Sequence, residues 1–170
     1  MFQLASEIGA RAVTHLEEIS EAGIAALAGT RTPAPPVAVL LPTTAYLLRL
    51  KPPPARQMIK AGVCLALGSD FNPNAYCLSM PMVMNLASVL LGLTLDESLV
   101  ASTLNAADTI GRGYSHGALH PGRVADMIII NAPRWEHLVY QFGCHQKLIA
   151  HVLKSGAEVH QPKDIQHTCF

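Results

Sequence analysis

The segment Val63-Cys64-Leu65-Ala66-Leu67-Gly68-Ser69-Asp70-Phe71-Asn72-Pro73-Asn74 is an apolar run that stops at a Gly-Ser pair, presents one carboxylate, and leaves in an Asn/Pro turn. A strand hydrophobic on both faces belongs to a parallel sheet covered by helices, and a charge is tolerated only where it leaves the core. Asp70 stands at that point. The C-terminal end of a parallel strand is where α/β enzymes place metal ligands and general bases. The alternative is an aspartate that only caps the following turn.

Two further apolar runs precede this one. Ala12-Val13-Thr14-His15 is a short strand, and Ser20-Glu21 opens a helix reading Ile24, Leu27 and Ala28 at helical spacing. Val37 to Leu41 is a strand ended by Pro42-Thr43-Thr44, with a helix expected after Pro52 to Pro54 and another from about Met80. Successive βα units require parallel strands with right-handed crossovers. The strand ends carrying His15, Thr43 with Thr44, and Asp70 are therefore expected on one rim, which is the predicted site.

Beyond the helix opening near Leu95, with Asp96 and Glu97 in its first turn, the texture changes. Gly111, Gly113, Gly117 and Pro121-Gly122 punctuate short segments, Ala125 to Ile130 is β-branched, and Ile149 to His160 reads as a hairpin. The expected division is an α/β part over residues 1–112, a β-rich module over 113–160 and a loose tail over 161–170.

Half of the 170 residues are hydrophobic, and 12 basic residues balance 12 acidic ones. Without a basic excess, a nucleic-acid surface is not expected. Met80 to Leu93 is interrupted by Asn85, Ser88 and Gly92, so no membrane span is expected. The N-terminus lacks a secretory pattern, and Cys64, Cys77, Cys144 and Cys169 show no paired spacing, which predicts reduced thiols in a cytoplasmic protein.

Three segments carry a resemblance: Gly68 to Cys77, Thr14-His15-Leu16-Glu17-Glu18, and Leu40 to Tyr46. Together with Thr103 to Ala107, Gly117-Ala118-Leu119, Gly122 to Asp126 and Arg134 to Gly143, they make the chain similar to the imidazolonepropionases, amidohydrolases of histidine breakdown. The resemblance runs from Phe2 to about Val159. It implies the last three βα units of a (β/α)8 barrel, strands six to eight, with part of a β-sandwich. It also implies one divalent metal ion, zinc or iron. The implied reaction is hydrolysis of the ring amide of 4-imidazolone-5-propanoate to N-formimidoyl-L-glutamate, and full-length members are expected to be homodimers.

Carried onto this sequence, Asp70 matches the metal-binding aspartate and proton carrier, and His15 the histidine that contacts substrate. Asn72 matches a substrate-binding position. Asn74 and Ala75 fall at the next such positions, where many members have Gly and Thr or Ser. The family's first-strand His-x-His and fifth-strand His-x-x-Glu are not matched here, since His15-Leu16-Glu17-Glu18 has the latter spacing but falls at the sixth strand of the resemblance, which predicts a shortened form, inactive alone. His116 and His120 are four apart, but Gly117 and Pro121 argue against a helical metal pair. His137 reads as a structural or interface contact. Two alternatives stand beside this reading: a non-catalytic fragment that binds full-length subunits through Trp135 to Phe142, and another amidohydrolase such as a deaminase of a nitrogen heterocycle.

Overall fold

In the computed structural model, residues 4–5, 8–29 and 35–160 are described. The expected tail over 161–170, with Cys169, lies outside them.

Three short strands form the first sheet: β1 (Ala12–Thr14), β2 (Val37–Leu40) and β3 (Leu65–Leu67). Their order is β1-β2-β3, and both pairings are parallel, with Val13 opposite Ala38 and Val39 opposite Ala66. The three C-terminal ends therefore share one rim, as the βα repeat requires. β2 is central and apolar throughout; Ala38 and Leu40 join Leu65 and Leu67 of β3 in the main core.

Helices cover that core. α1 (Glu21–Ala28) starts at Ser20, whose hydroxyl accepts from the Gly23 amide at 3.1 Å, and buries Ile24 and Leu27. The prolines do not delay helix formation after β2: α2 (Pro42–Leu47) begins at once, because proline is tolerated in the first turn, where its missing N–H has no partner to lose. α3 (Ala55–Lys60) follows Pro52 to Pro54 as expected and contributes the fully buried Met58. α4 (Met80–Leu91) is capped by Ser79 and ends at the left-handed Gly92, burying Val83, Met84 and Ala87.

α5 (Leu95–Ser102) opens with a capping box: Thr94 Oγ1 accepts from the Glu97 amide at 3.1 Å, and the Thr94 amide donates to Glu97 Oε2 at 2.8 Å. The Thr94 amide holds the Glu97 carboxyl below the usual glutamate range, and the Arg56 guanidinium, 2.5 Å away, adds to it. A carboxylate lowered by folding stabilises above its unfolded value and loses that contribution as pH falls through the folded one. Between about pH 6 and about pH 3, where glutamate titrates, the wild type should lose more stability than Glu97→Gln, which keeps an N3 cap but does not ionise. Urea titrations across that range check it; parallel losses would refute it.

α6 (Leu104–Thr109) places Asn105 against β3, its Nδ2 donating to the Leu65 carbonyl at 2.7 Å. Cys64 and the Ala66 strand face pair toward β2, so the Leu65 carbonyl is on the outer edge, and Asn105 satisfies one polar group a neighbouring strand would otherwise take.

The second sheet is antiparallel, in the order β4 (Met127–Ile130), β5 (Ile149–Lys154) and β6 (Ala157–His160). The expected hairpin is present. Ser155 and Gly156 both have positive φ, the two-residue turn that matches strand twist. Asp126 fastens that turn, accepting from the Ser155 amide at 2.8 Å and pairing with Lys154. α7 (His137–Tyr140) buries Val139 and joins the two parts: Asn85 Nδ2 donates to the Val139 carbonyl at 3.2 Å. Nearby, the buried His145 ring stands 3.1 Å from the Ser79 hydroxyl.

Cys64 corrects one expectation. Expected inside a buried strand from its apolar neighbours, it stands one residue before β3 and is exposed, although its carbonyl accepts from the Ala38 amide at 2.9 Å. Cys77 and Cys144 are also free thiols. Among the described residues, no helix is long and apolar enough to cross a membrane.

Candidate active site

β3 delivers Asp70 through a turn that glycine permits. A Cβ on Gly68 would meet Leu41 Cδ2 at 2.9 Å, so a larger residue there would have to push the Leu41 side chain aside. Asp70 itself is left-handed, at φ 49°.

The first turn of α2 holds this loop with two buried hydroxyls. Thr43 Oγ1 donates to the Ser69 carbonyl at 2.8 Å, and Thr44 Oγ1 donates to Asp70 Oδ2 at 2.7 Å. Thr44 thus fixes one carboxylate oxygen, and no hydrogen bond occupies Oδ1 among the described residues. The sequence reading puts Thr43 and Thr44 at the rim without a role. Their adjacency directly after an apolar strand was the available signal.

His15 follows β1, its amide donating to the Val39 carbonyl at 3.1 Å. Both His15 and Leu16 have positive φ, at 72° and 74°, a conformation costing L residues about 1–2 kcal/mol each. Leu16 is anchored in the core, whereas the His15 side chain is 46% exposed. His15 follows β1 and Asp70 lies beyond β3, with β2 between their strands. The rim brings them to one side of the sheet without bringing them into contact, and the paired threonines sit between.

Asn72 is turned largely upon its own loop. Nδ2 donates to the Asp70 carbonyl at 2.5 Å, and Oδ1 accepts from the amides of Asn74 at 2.8 Å and Ala75 at 3.2 Å. One amide N–H of Asn72 remains uncommitted. Asn74 is exposed, and Ala75 is fully buried. Phe71 and Tyr76 make an edge-to-face ring pair 4.8 Å apart on the exposed side of this loop, an apolar wall beside Asp70.

His116, His120 and His137 are engaged elsewhere. No helix forms at His116 and His120; His116 Nδ1 lies 2.8 Å from the Ser115 hydroxyl, and His120 Nδ1 2.8 Å from the Pro121 carbonyl. His137 Nδ1 is 3.3 Å from Gln141 Nε2. Among the described residues, no group of three or more His, Cys, Asp or Glu side chains is placed to hold a metal ion.

The profile of the Amidohydrolase family matches residues 1–160. The chain belongs to the amidohydrolase family.

Within that family it is similar to imidazolonepropionases. A probable imidazolonepropionase of Danio rerio is 58% identical over 158 residues, covering 93% of this chain and 36% of the relative. That of Nematostella vectensis is 57% identical over 157 residues, 92% of this chain and 36% of the relative. The Homo sapiens protein is 54% identical over 159 residues, with 94% and 36% covered. The amidohydrolase chain therefore spans about a third of the length of these relatives.

Solved structures agree on the fold. A zinc-bound adenosine deaminase from Xanthomonas campestris superposes with TM-score 0.75 at 24% identity, over 86% of this chain and 36% of that one. E. coli guanine deaminase does so with TM-score 0.76 at 17% identity, over 94% and 41%.

Proposed function

We propose that this chain carries the Asp70 and His15 side of an imidazolonepropionase, the enzyme that opens the ring amide of 4-imidazolone-5-propanoate to N-formimidoyl-L-glutamate. The observation that carries the reading is Asp70 at the end of a parallel strand, with Oδ2 held by Thr44 and Oδ1 open. It stands in a chain 54–58% identical to the animal imidazolonepropionases compared above.

On this reading β1, β2 and β3 are strands six to eight of a (β/α)8 barrel, and the β4–β6 sheet is part of a β-sandwich, with the division near residue 112. We place the protein in the cytosol. The surface of α7 and the turn after it, with Tyr140 81% and Phe142 45% exposed, is the proposed homodimer contact.

The family implies one zinc or iron ion. Asp70 offers a single carboxylate, and a catalytic centre of this kind needs about three protein ligands. The described residues do not fit such a centre by themselves, and none of the steps below depends on it. Asp70 Oδ1 accepts a proton from the attacking water and returns it to the leaving ring nitrogen. His15 hydrogen-bonds the carbonyl oxygen as negative charge develops there. The spare Asn72 amide N–H and the exposed Asn74 offer polar contacts to the substrate. Ala75, with no exposed surface, serves the loop through its backbone.

Two measurements test this. The chain alone, supplied with zinc or iron, should give negligible turnover of imidazolone propionate. A chimera in which it replaces the matching third of the Danio rerio relative should turn the substrate over. A folded chimera without activity would sink the reading, and metal-dependent turnover by the isolated chain would overturn its expected inactivity.

A further inference from the structure

We propose that Glu17 is a positioning residue that holds His15 by its Nδ1 proton, so that Nε2 is the nitrogen left to meet a ligand at the rim. The inference rests on His15 being the substrate-facing imidazole proposed above, and it adds the group that decides which of its nitrogens does so.

Three observations carry it. Glu17 Oε1 is buried and receives no hydrogen bond among the described residues. A carboxylate oxygen removed from water without a donor is costly, so a partner is expected within reach. His15 Nδ1 lies 3.4 Å away, inside ion-pair range but not aligned as a hydrogen bond.

The two side chains differ in freedom. That of Glu17 is 12% exposed and confined, whereas that of His15 is 46% exposed and can turn. The exposed ring is therefore the partner free to turn toward the fixed carboxylate. The third observation is the backbone itself. Consecutive left-handed residues at His15 and Leu16 are maintained while Leu16 is drawn into the core, and this kink brings Glu17 back against the histidine two residues before it. Strained conformations of this kind persist where surrounding structure over-determines them, often at functional sites.

The chemical consequence concerns the tautomer. The partner of one imidazole nitrogen sets the state of the other. A carboxylate at Nδ1 retains the proton there and leaves the Nε2 lone pair outward. When Nε2 takes up a proton, Glu17 faces the resulting imidazolium, and the ring can then donate from Nε2 to a developing oxyanion. Without Glu17, neither the ring orientation nor the reacting nitrogen is specified.

The test is long-range proton–nitrogen NMR of the full 170-residue chain labelled at histidine, at an alkaline pH where imidazoles are neutral. Loss of a signal in His15→Gln assigns the ring. The expected result is the Nδ1–H tautomer for His15 in the wild type, and movement of its Nε2 signal from the unprotonated to the protonated range in Glu17→Leu. Wild-type His15 in the Nε2–H form overturns the proposal, as does an unchanged tautomer in a folded Glu17→Leu. Should the leucine variant lose its dispersed amide spectrum, Glu17→Ala takes its place under the same criteria, and the wild-type spectrum alone still decides against the proposal if it shows Nε2–H. The measurement needs no substrate. A dead chimera with the Nδ1–H tautomer intact refutes the proposed function and not this inference; an active chimera with the Nε2–H tautomer does the reverse.

Discussion

Leu40→Ala is expected to lower the unfolding free energy by about 2–5 kcal/mol, enough to leave much of the chain unfolded if total stability is near the low end of the usual range of about 5–15 kcal/mol. Leu40 has no exposed surface, lies on the central strand, and packs in the same core as Leu67, Met58 and Val83. Truncation removes the transfer energy of the lost carbons and leaves a cavity that flanking strands cannot collapse into, because β1 and β3 are hydrogen-bonded to β2 on either side. Val89→Ala is the control: 71% exposed on α4, it should change stability by no more than about 0.5 kcal/mol. Urea midpoints of the two variants compare the effects directly. Equal midpoints would show that β2 is not the centre of the folded unit.

Asp70→Asn in the active chimera is expected to lower kcat by roughly 10²–10⁴-fold, the usual contribution of positioned acid–base catalysis. Asparagine preserves the shape of the side chain and can still accept the Thr44 hydroxyl through its amide oxygen, but it cannot cycle a proton. Thr44→Val leaves the carboxylate in place and removes the 2.7 Å bond that orients it. A hydrogen bond to a charged group is worth about 1.5–3 kcal/mol, so the valine variant should lose about 10- to 150-fold, and less than Asp70→Asn. Steady-state kinetics on both variants, with matching melting curves, separate a lost proton carrier from a disordered loop. Wild-type kcat in a folded Asp70→Asn would remove Asp70 from the chemistry.

Much of this architecture was legible along the chain because it depends on neighbours in sequence. Apolar runs ending at His15, Thr43 with Thr44, and Asp70 are strand ends by their pattern, and the obligatory crossover puts parallel ends on one rim. Ser20-Glu21, the run from about Met80, and Leu95 with Asp96 and Glu97 mark helix starts, and Ile149 to His160 a hairpin, because such signals act within three or four residues. The early start of α2 at Pro42 was not evident: proline is compatible with both a turn and a first helical turn, and the packing of Ala45 into the buried interior selects the second. Cys64 reads as part of the buried strand by composition, but only its backbone pairs with β2, while the residue is exposed and does not join the main core.

By itself, then, the order of residues determined which segments become strands and helices, that three parallel strands point their ends the same way, and that a carboxylate and an imidazole stand on that rim. Tertiary structure alone decided what those groups touch. Thr44 reaches Asp70 across 26 positions of sequence. Asn72 spends most of its amide on its own loop, and one Glu17 carboxylate oxygen is buried 3.4 Å from His15 Nδ1 after a left-handed kink that no propensity favours. The reason is physical: periodicity and capping are set by covalent neighbours, whereas a hydrogen-bond partner is set by whichever distant group the packed core leaves within about 3 Å.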